Sequence, residues 1–435
     1  MKKHQRFLAA LTTAALLFSL AGCGGGDNTA APDAGSTADS GSTSPSDGAK
    51  KTVTVFSKKR EWNWDKIESS FEASNPGYDL VVNLTEATTY FDELKSFLAT
   101  GDLPDVIQTN SGSLLNLWKE HLVDLSDLEV LSKMDQDILN EYLMDGKYYG
   151  VPLFAEFHGV IYNMEYLGKA GISEVPKTLD EFIAMNDALQ SAGQPTGIAP
   201  WKNAASITGH MTAPLFTTRE DPLGYLGQIE SGAVDLTQDP LWNGLFDYLD
   251  AVRTYGNKDA LNTDNTTERN AMFIGQYAWY AHDGSWVTPS LRSTNAEMEK
   301  NLRMGVYPFT NDASQNKIGV STQSLSIMNT KNVDNAKVFV NWLLGTDEGC
   351  DILAKDCNVV LLRQDYKMDA ADIGELAAQG LAAVEAGDST VNFRWIADEI
   401  QNNITSDFQK YISDAMSRTD ALTDIQAQFA SHPVT

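Results

Sequence analysis

Cysteine is scarce: three residues in 435. Cys23 stands in the leader, so the body has only Cys350 and Cys357. That excludes the disulfide framework of a small secreted domain. On one uninterrupted helix the two would lie about 10 Å apart along the axis, too far to bridge; buried free thiols, or a local bridge if the helix ends between them, both fit. With no C-x-x-C and six scattered histidines, no metal ligand set is expected. Positive charge is the second shortage. Lys and Arg number 32 against 59 Asp and Glu, a formal charge of −27. Such a field repels nucleic acid and anionic membranes. Long apolar runs are the third: one, at residues 7–22, and later runs are broken by polar residues. P-loop, nucleophile-elbow, H-E-x-x-H and EF-hand patterns are also missing, so no cofactor and no calcium are expected.

What is present begins at the N-terminus. Lys2, Lys3 and Arg6 precede the apolar run, which is short for a membrane span and leads into polar sequence. This is the layout of a secretion signal over residues 1–22. Leu20-Ala21-Gly22-Cys23 resembles a bacterial lipobox, implying a cut before Cys23 and diacylation of its thiol. More than one lipid chain anchors firmly where one does not. Residues 23–49 are then the lipidated cysteine and its tether. From 24 on they are rich in Gly, Ser, Thr, Asp, Ala and Pro, without a large apolar residue, and cannot repay the entropy of ordering. The reading is an extracytoplasmic, lipid-anchored protein, with a Gram-positive surface favoured.

The remainder is long enough for two domains. Residues 51–57 alternate as a strand, 65–74 read as a helix stopped by Asn75-Pro76-Gly77, and 78–84 return to strand. A second amphipathic helix, 90–99, is followed by a strand over 103–110. This β-α-β-α-β grammar builds a parallel sheet covered by helices. Residues up to about 142 read as helical, and 145–153 as a hairpin-like turn feeding a strand. Thr178 with Glu181 forms a capping box for the next helix. A short strand at 197–200, helices to about 255, strands at 303–308 and 324–329, a helix at 334–344 and a helical region over 369–429 complete the reading.

Four segments carry a family resemblance: TGDLPDVIQ at 100–108, DGKYYGVPL at 145–153, GVIYNMEYLGKAGI with PKTLDEF at 159–182, and VNWLLGTDEG at 340–349. In this order they resemble the bacterial extracellular solute-binding proteins of carbohydrate ABC importers, the maltodextrin- and multiple-sugar-binding group. The resemblance implies an α/β, two-lobed, periplasmic-binding-protein-like fold with a cleft between lobes and hinge crossings near 155–159, 310–319 and 363–369. It places the N-lobe at 50–156 plus 312–365 and the C-lobe at 160–310 plus 366–430. It implies a monomer without enzymatic activity that binds a carbohydrate, partners the permease subunits of an ABC transporter in the membrane and meets membrane lipid through Cys23. A peptide, polyamine or other small solute is the alternative ligand, and a surface glycan hydrolase the alternative class.

A sugar offers C–H patches to aromatic faces and hydroxyls that must be paired when buried. Loops after strands that combine both chemistries are therefore the candidates. They supply Arg60 and Trp62 after the first strand, Asn110 and Ser111 after the third, and Glu156, beside Phe157 and His158, at the first crossing. Trp201 follows the strand at 197–200. Asp283 and Trp286 match the family's Gly-x-Trp loop. Gln323 opens a returning strand, and Arg394 and Trp395 belong to a late segment. His158 reads as structural.

Overall fold

The computed structural model describes residues 50–87, 89–204, 206–396 and 398–433; the leader, Cys23 and the tether lie outside them. Twelve strands are assigned: β1 (Lys51–Ser57), β2 (Tyr78–Leu84), β3 (Val106–Thr109), β4 (Leu143–Met144), β5 (Lys147–Tyr148), β6 (Val151–Asn163), β7 (Gly197–Ile198), β8 (Trp279–Gly284), β9 (Leu302–Gly305), β10 (Ile318–Ile327), β11 (Val360–Leu361) and β12 (Ser389–Val391).

The opening β-α-β-α-β run forms as its pattern predicts. Asn63 caps the helix Trp64–Ser74 through the Lys66 amide, and Ile67 and Phe71 are its buried face. Gly101, at φ 80°, ends the helix Tyr90–Thr100 in the left-handed conformation that glycine adopts without steric cost. β1 lies between β2 and β3, parallel to both. Thr178 and Glu181 make both halves of the capping box on Leu179–Ser191.

β6 and β10 organise the rest. Every residue of both strands is buried, as expected for strands covered on two faces. They pair antiparallel from Gly319↔His158 to Leu325↔Val151, with a register break between Gln323 and Ser324. β3 joins the late half of β10; β8 and β9 join the late half of β6. One sheet thus runs β2-β1-β3-β10-β6-β8-β7, with β12 on β10 and β9 and β11 on β6, and β4 and β5 form a separate hairpin. The fold is α/β and two-lobed, with the β6–β10 ribbon common to both halves.

The core follows the sheet. One apolar cluster joins Val53, Phe71, Leu153, Phe339 and Trp342; another, on the same half of the sheet, joins Phe56, Tyr90, Leu115 and Trp118. At the other end a large cluster gathers Tyr162, Trp201, Trp242, Trp279, Phe408 and Phe429. A fourth joins Phe157, Tyr280, Leu302 and Leu376. Helices therefore pack on both faces, the arrangement that a mostly buried sheet requires.

Three expectations change. The stretch before residue 142 holds only short pieces, Ser113–Trp118 and Gln136–Asn140 with 3-10 turns between. Asp124 and Asp135 there accept hydrogen bonds from nearby backbone amides, which breaks one long helix into capped turns. The third strand begins at Val106, because Pro104 cannot donate to a ladder. The late helical region contains β12, which adds to β10 in parallel. Cys350 and Cys357 are both buried free thiols. Among the described residues no helix is long and apolar enough to cross a membrane.

Candidate functional site

The site is built where β1 and β3 end against the middle of β6 and β10. Alternation along β10 puts Ser321 and Gln323 on one face, opposite Glu156 and Phe154 of β6. Lys59, just past β1, reaches this face: its Nζ lies 2.5 Å from Glu156 Oε1 and 3.6 Å from Glu61 Oε1. Burial lowers the Lys59 pKa, but the two carboxylates more than offset it and the ammonium is stabilised. The Gln323 amide nitrogen is 3.5 Å from Glu156 Oε2, and Gln323 Oε1 has no partner.

Lys58 sits differently. Its backbone N–H donates to Gln108 Oε1, while its Nζ lies 5.5 Å from the Tyr90 ring centre and 5.3 Å from that of Phe91. Its ammonium makes no salt bridge among the described residues. Burial, followed by the nearby charges of Lys59 and Arg394, pushes its pKa down to about 7. Arg394 enters from the far end of the chain. Gly112, at φ +74°, lets it approach: a Cβ there would lie 2.3 Å from the Arg394 carbonyl oxygen. Ser113 N–H and Oγ–H both donate to that oxygen. The Arg394 guanidinium donates to Ser321 Oγ at 2.6 Å, and burial lowers its pKa.

The other expected residues fall into three groups. Trp62, Glu156 and Trp286 line a small cavity of about 10 Å³ with Glu61, Ser285 and Asn358. Asn110 and Ser111 reach the same strand ends: Asn110 Oδ1 is buried without a partner, and Ser111 donates to Glu141. The rest are occupied elsewhere. Arg60 is exposed and paired with Glu86. Asp283 is gripped by Arg269 through two hydrogen bonds, at 2.9 and 3.3 Å. Trp201 is fully buried in the large core cluster, against which Trp395 also packs.

Behind Trp286 stands a group that no local pattern announces. Its ring lies 5.8–6.1 Å from the imidazoles of His158, His210 and His282. His158 contacts Asn392 Oδ1 through Nε2 and Tyr307 Oη through Nδ1. Tyr307 also meets His282 Nδ1 at 2.5 Å, and His282 Nε2 meets His210 Nδ1 at 2.9 Å. One proton order satisfies every link: His158 donates to Asn392, Tyr307 to His158, His282 to Tyr307 and His210 to His282. Burial holds all three rings neutral, His158 down to about 3 and the others well below their ordinary value. Ring nitrogens of the three lie within 4.8 Å of one another. The rings of His158 and His210 stack at 4.1 Å and 26°, so their in-plane lone pairs run side by side rather than converge. The arrangement is a hydrogen-bonded chain. Gly319 makes room for it, since a Cβ there would lie 1.9 Å from His158.

Sequence reasoning selected Arg60 and Trp62 from the loop after β1 and passed over Lys58 and Lys59. The usable signal was two consecutive lysines at a strand end in an acid-rich chain. His210, His282, Tyr307 and Asn392 carried none, because each comes from a different element.

A two-lobed α/β fold with polar groups gathered at strand ends on its central ribbon defines a solute-binding class. A family model described as "Bacterial extracellular solute-binding protein" matches residues 41–349, and the chain belongs to that family of extracellular proteins. It is 24% identical over 324 residues to the multiple sugar-binding protein of Streptococcus mutans, covering 68% of this chain and 71% of that one. It is also 24% identical to the diacetylchitobiose-binding protein DasA of Streptomyces coelicolor, over 98% of both chains. Among solved structures, the solute-binding protein RafE in complex with raffinose matches 87% of this chain and 99% of its own, with TM-score 0.73 and 20% identity. A chitin oligosaccharide binding protein matches 87% and 98%, with TM-score 0.72 and 16% identity.

Proposed function

We propose that this protein captures a carbohydrate, an oligosaccharide, outside the cell and delivers it to the permease of an ABC importer, without transforming it. The observation that carries the reading is the set of buried polar atoms left without partners at the strand ends: Gln108 Nε2, Asn110 Oδ1, Gln323 Oε1 and Trp286 Nε1. Unpaired buried donors and acceptors cost about 1–3 kcal/mol each, and a bound polyhydroxyl ligand supplies both kinds of partner. Trp62 and Trp286 beside Glu156 add aromatic faces for C–H patches. The relatives named for sugars support the same class.

The ligand set on this reading is Asn110, Ser111, Glu156, Trp286, Gln323 and Arg394, with Trp62 at the edge. The lobes divide as N-lobe 50–156 plus 312–365 and C-lobe 160–310 plus 366–430. They open and close about the β6–β10 ribbon, as hinged binding proteins do. Cys23 is the lipidated mature N-terminus, and the folded body is a monomer.

The test is a thermal-shift screen of residues 24–435, which retain the folded unit beginning at Ala49. The panel holds oligosaccharides, peptides, amino acids and polyamines. A selective rise with a glycan is expected by mass action, and it disappears in Trp286→Ala. A response confined to a peptide or polyamine overturns the carbohydrate reading; sustained glycan hydrolysis by the purified protein overturns the non-enzymatic one.

A further inference from the structure

We propose that the captured saccharide is acidic, and that Lys58 and Arg394 together receive its carboxylate; the inference rests on the sugar-binding reading above and names the substrate class of that same site.

The starting point is an imbalance of charge. The chain carries 59 acidic against 32 basic residues, so a buried cation has carboxylates to choose from. Lys59 has two, Glu156 and Glu61. Lys58 and Arg394, both half-buried, have none in salt-bridge contact among the described residues, and a charge drawn partly out of water without a partner is costly. Lys58 is held only by the faces of Tyr90 and Phe91, and Arg394 by one serine hydroxyl.

The two residues are linked in one circuit by backbone hydrogen bonds, strand register and the Lys59–Glu156 pair. Lys58 N–H donates to Gln108; the loop from Gln108 leads to Gly112, which touches Arg394. Arg394 donates to Ser321, whose register partner is Glu156, and Glu156 holds Lys59, the neighbour of Lys58. The same circuit carries the orphaned amide nitrogen of Gln108, which is 1% exposed. Ammonium, guanidinium and amide N–H groups are all donors, and a carboxylate accepts from each of them.

An internal counter-ion does not fill the role. Glu141 is the carboxyl nearest in influence to Arg394, but it hydrogen-bonds Ser111, and burial favours its neutral form. Cations raised against one another inside an acidic protein are relieved when a ligand brings the missing negative charge. A planar guanidinium beside an ammonium suits a carboxylate, as found on uronic and sialic sugars. The small cavity beside Glu156, which neither Lys58 nor Arg394 lines, has room for about one water in this conformation, so the saccharide enters when the lobes part.

The experiment is isothermal titration of residues 24–435 with matched pairs: trigalacturonic acid and its carboxyl-reduced neutral trisaccharide, and sialyllactose and lactose. Glucose 6-phosphate is run beside glucuronic acid. The acidic member is expected to bind at least ~100-fold tighter, the scale for a buried charge pair. Arg394→Gln and Lys58→Met should each erase most of that preference while leaving the melting temperature within a few degrees, and Arg394→Lys should restore part of it. Equal or tighter binding of the neutral member overturns the acidic assignment and leaves sugar capture standing. A preference for the phosphate overturns the carboxylate. Binding of no member of either pair overturns the assignment, and the glycan screen then decides separately whether capture itself survives.

Discussion

Two groups of buried titratable side chains meet on the central ribbon, and they solve the same problem in opposite ways. The histidine chain behind Trp286 gives up charge: three neutral imidazoles, a tyrosine and an asparagine satisfy one another in a line. The cationic circuit at the ends of β1 and β3 keeps charge, with one ion pair closed and two cations open. The neutral network holds its geometry without a counter-ion, though it leaves the buried Asn392 Nδ2 unmet. An unsaturated charged one is costly until something arrives. Burial alone therefore does not mark a binding site; charge left without a counter-charge does.

The largest test of this contrast is acid. The ordinary imidazole value is 6.5, and His158 is held near 3 in the fold, with His210 and His282 also depressed. Between those values the unfolded chain binds more protons than the folded one, so stability is full above pH 6.5 and is lost as pH falls towards 3. His158 contributes up to about 1.4 kcal/mol per pH unit in that window, and His210 and His282 act in the same direction. Melting temperature should fall steeply from pH 6.5 to 5, and His282→Gln should flatten the slope; a flat profile in the parent protein breaks the neutral half of the comparison.

Next comes the closed ion pair. Glu156→Gln strands the Lys59 ammonium in the interior with only the more distant Glu61, and should cost about 3–5 kcal/mol. A loss below about 1 kcal/mol, measured by denaturant unfolding, would show that Lys59 is solvated and the circuit less buried than drawn.

The smallest effect has the opposite sign. Lys58 falls from 10.5 to about 7 on folding. The unfolded lysine binds more protons between those values, so the penalty is present below about pH 7 and disappears above 10.5. Lys58→Met should raise stability of the unliganded protein at neutral pH by roughly 1–2 kcal/mol, discounted because the side chain is part-exposed. Destabilisation instead would make Lys58 a structural residue.

Much of the fold was legible because its signals are local. The β-α-β start, the capping box of Thr178 and Glu181, and the Gly-x-Trp loop at Trp286 all depend on residues within a few positions of one another. The length of β6 was not, because Glu156, His158 and Gly159 interrupt its apolar run. They are tolerated there only because β8, β9 and β10 supply partners. The site was legible in part for the same reason. Glu156 and Gln323 are expected from strand ends, and Arg394, expected from the late segment, donates to Ser321 beside them, although composition alone does not mark that return. Trp201 shows the converse: an aromatic residue after a strand looks like a ligand platform, and here it fills a core.

The ribbon has a consequence for biosynthesis. The hydroxyls of Thr109 on β3 and Ser324 on β10 meet at 2.8 Å across 215 positions of sequence. A chain emerging N-terminus first displays β1, β2 and β3 long before β10 exists to cover their edge. The first half cannot close early, and loop closure on this scale slows folding. The edge of β3 stays uncovered until β10, which ends at Ile327, has emerged.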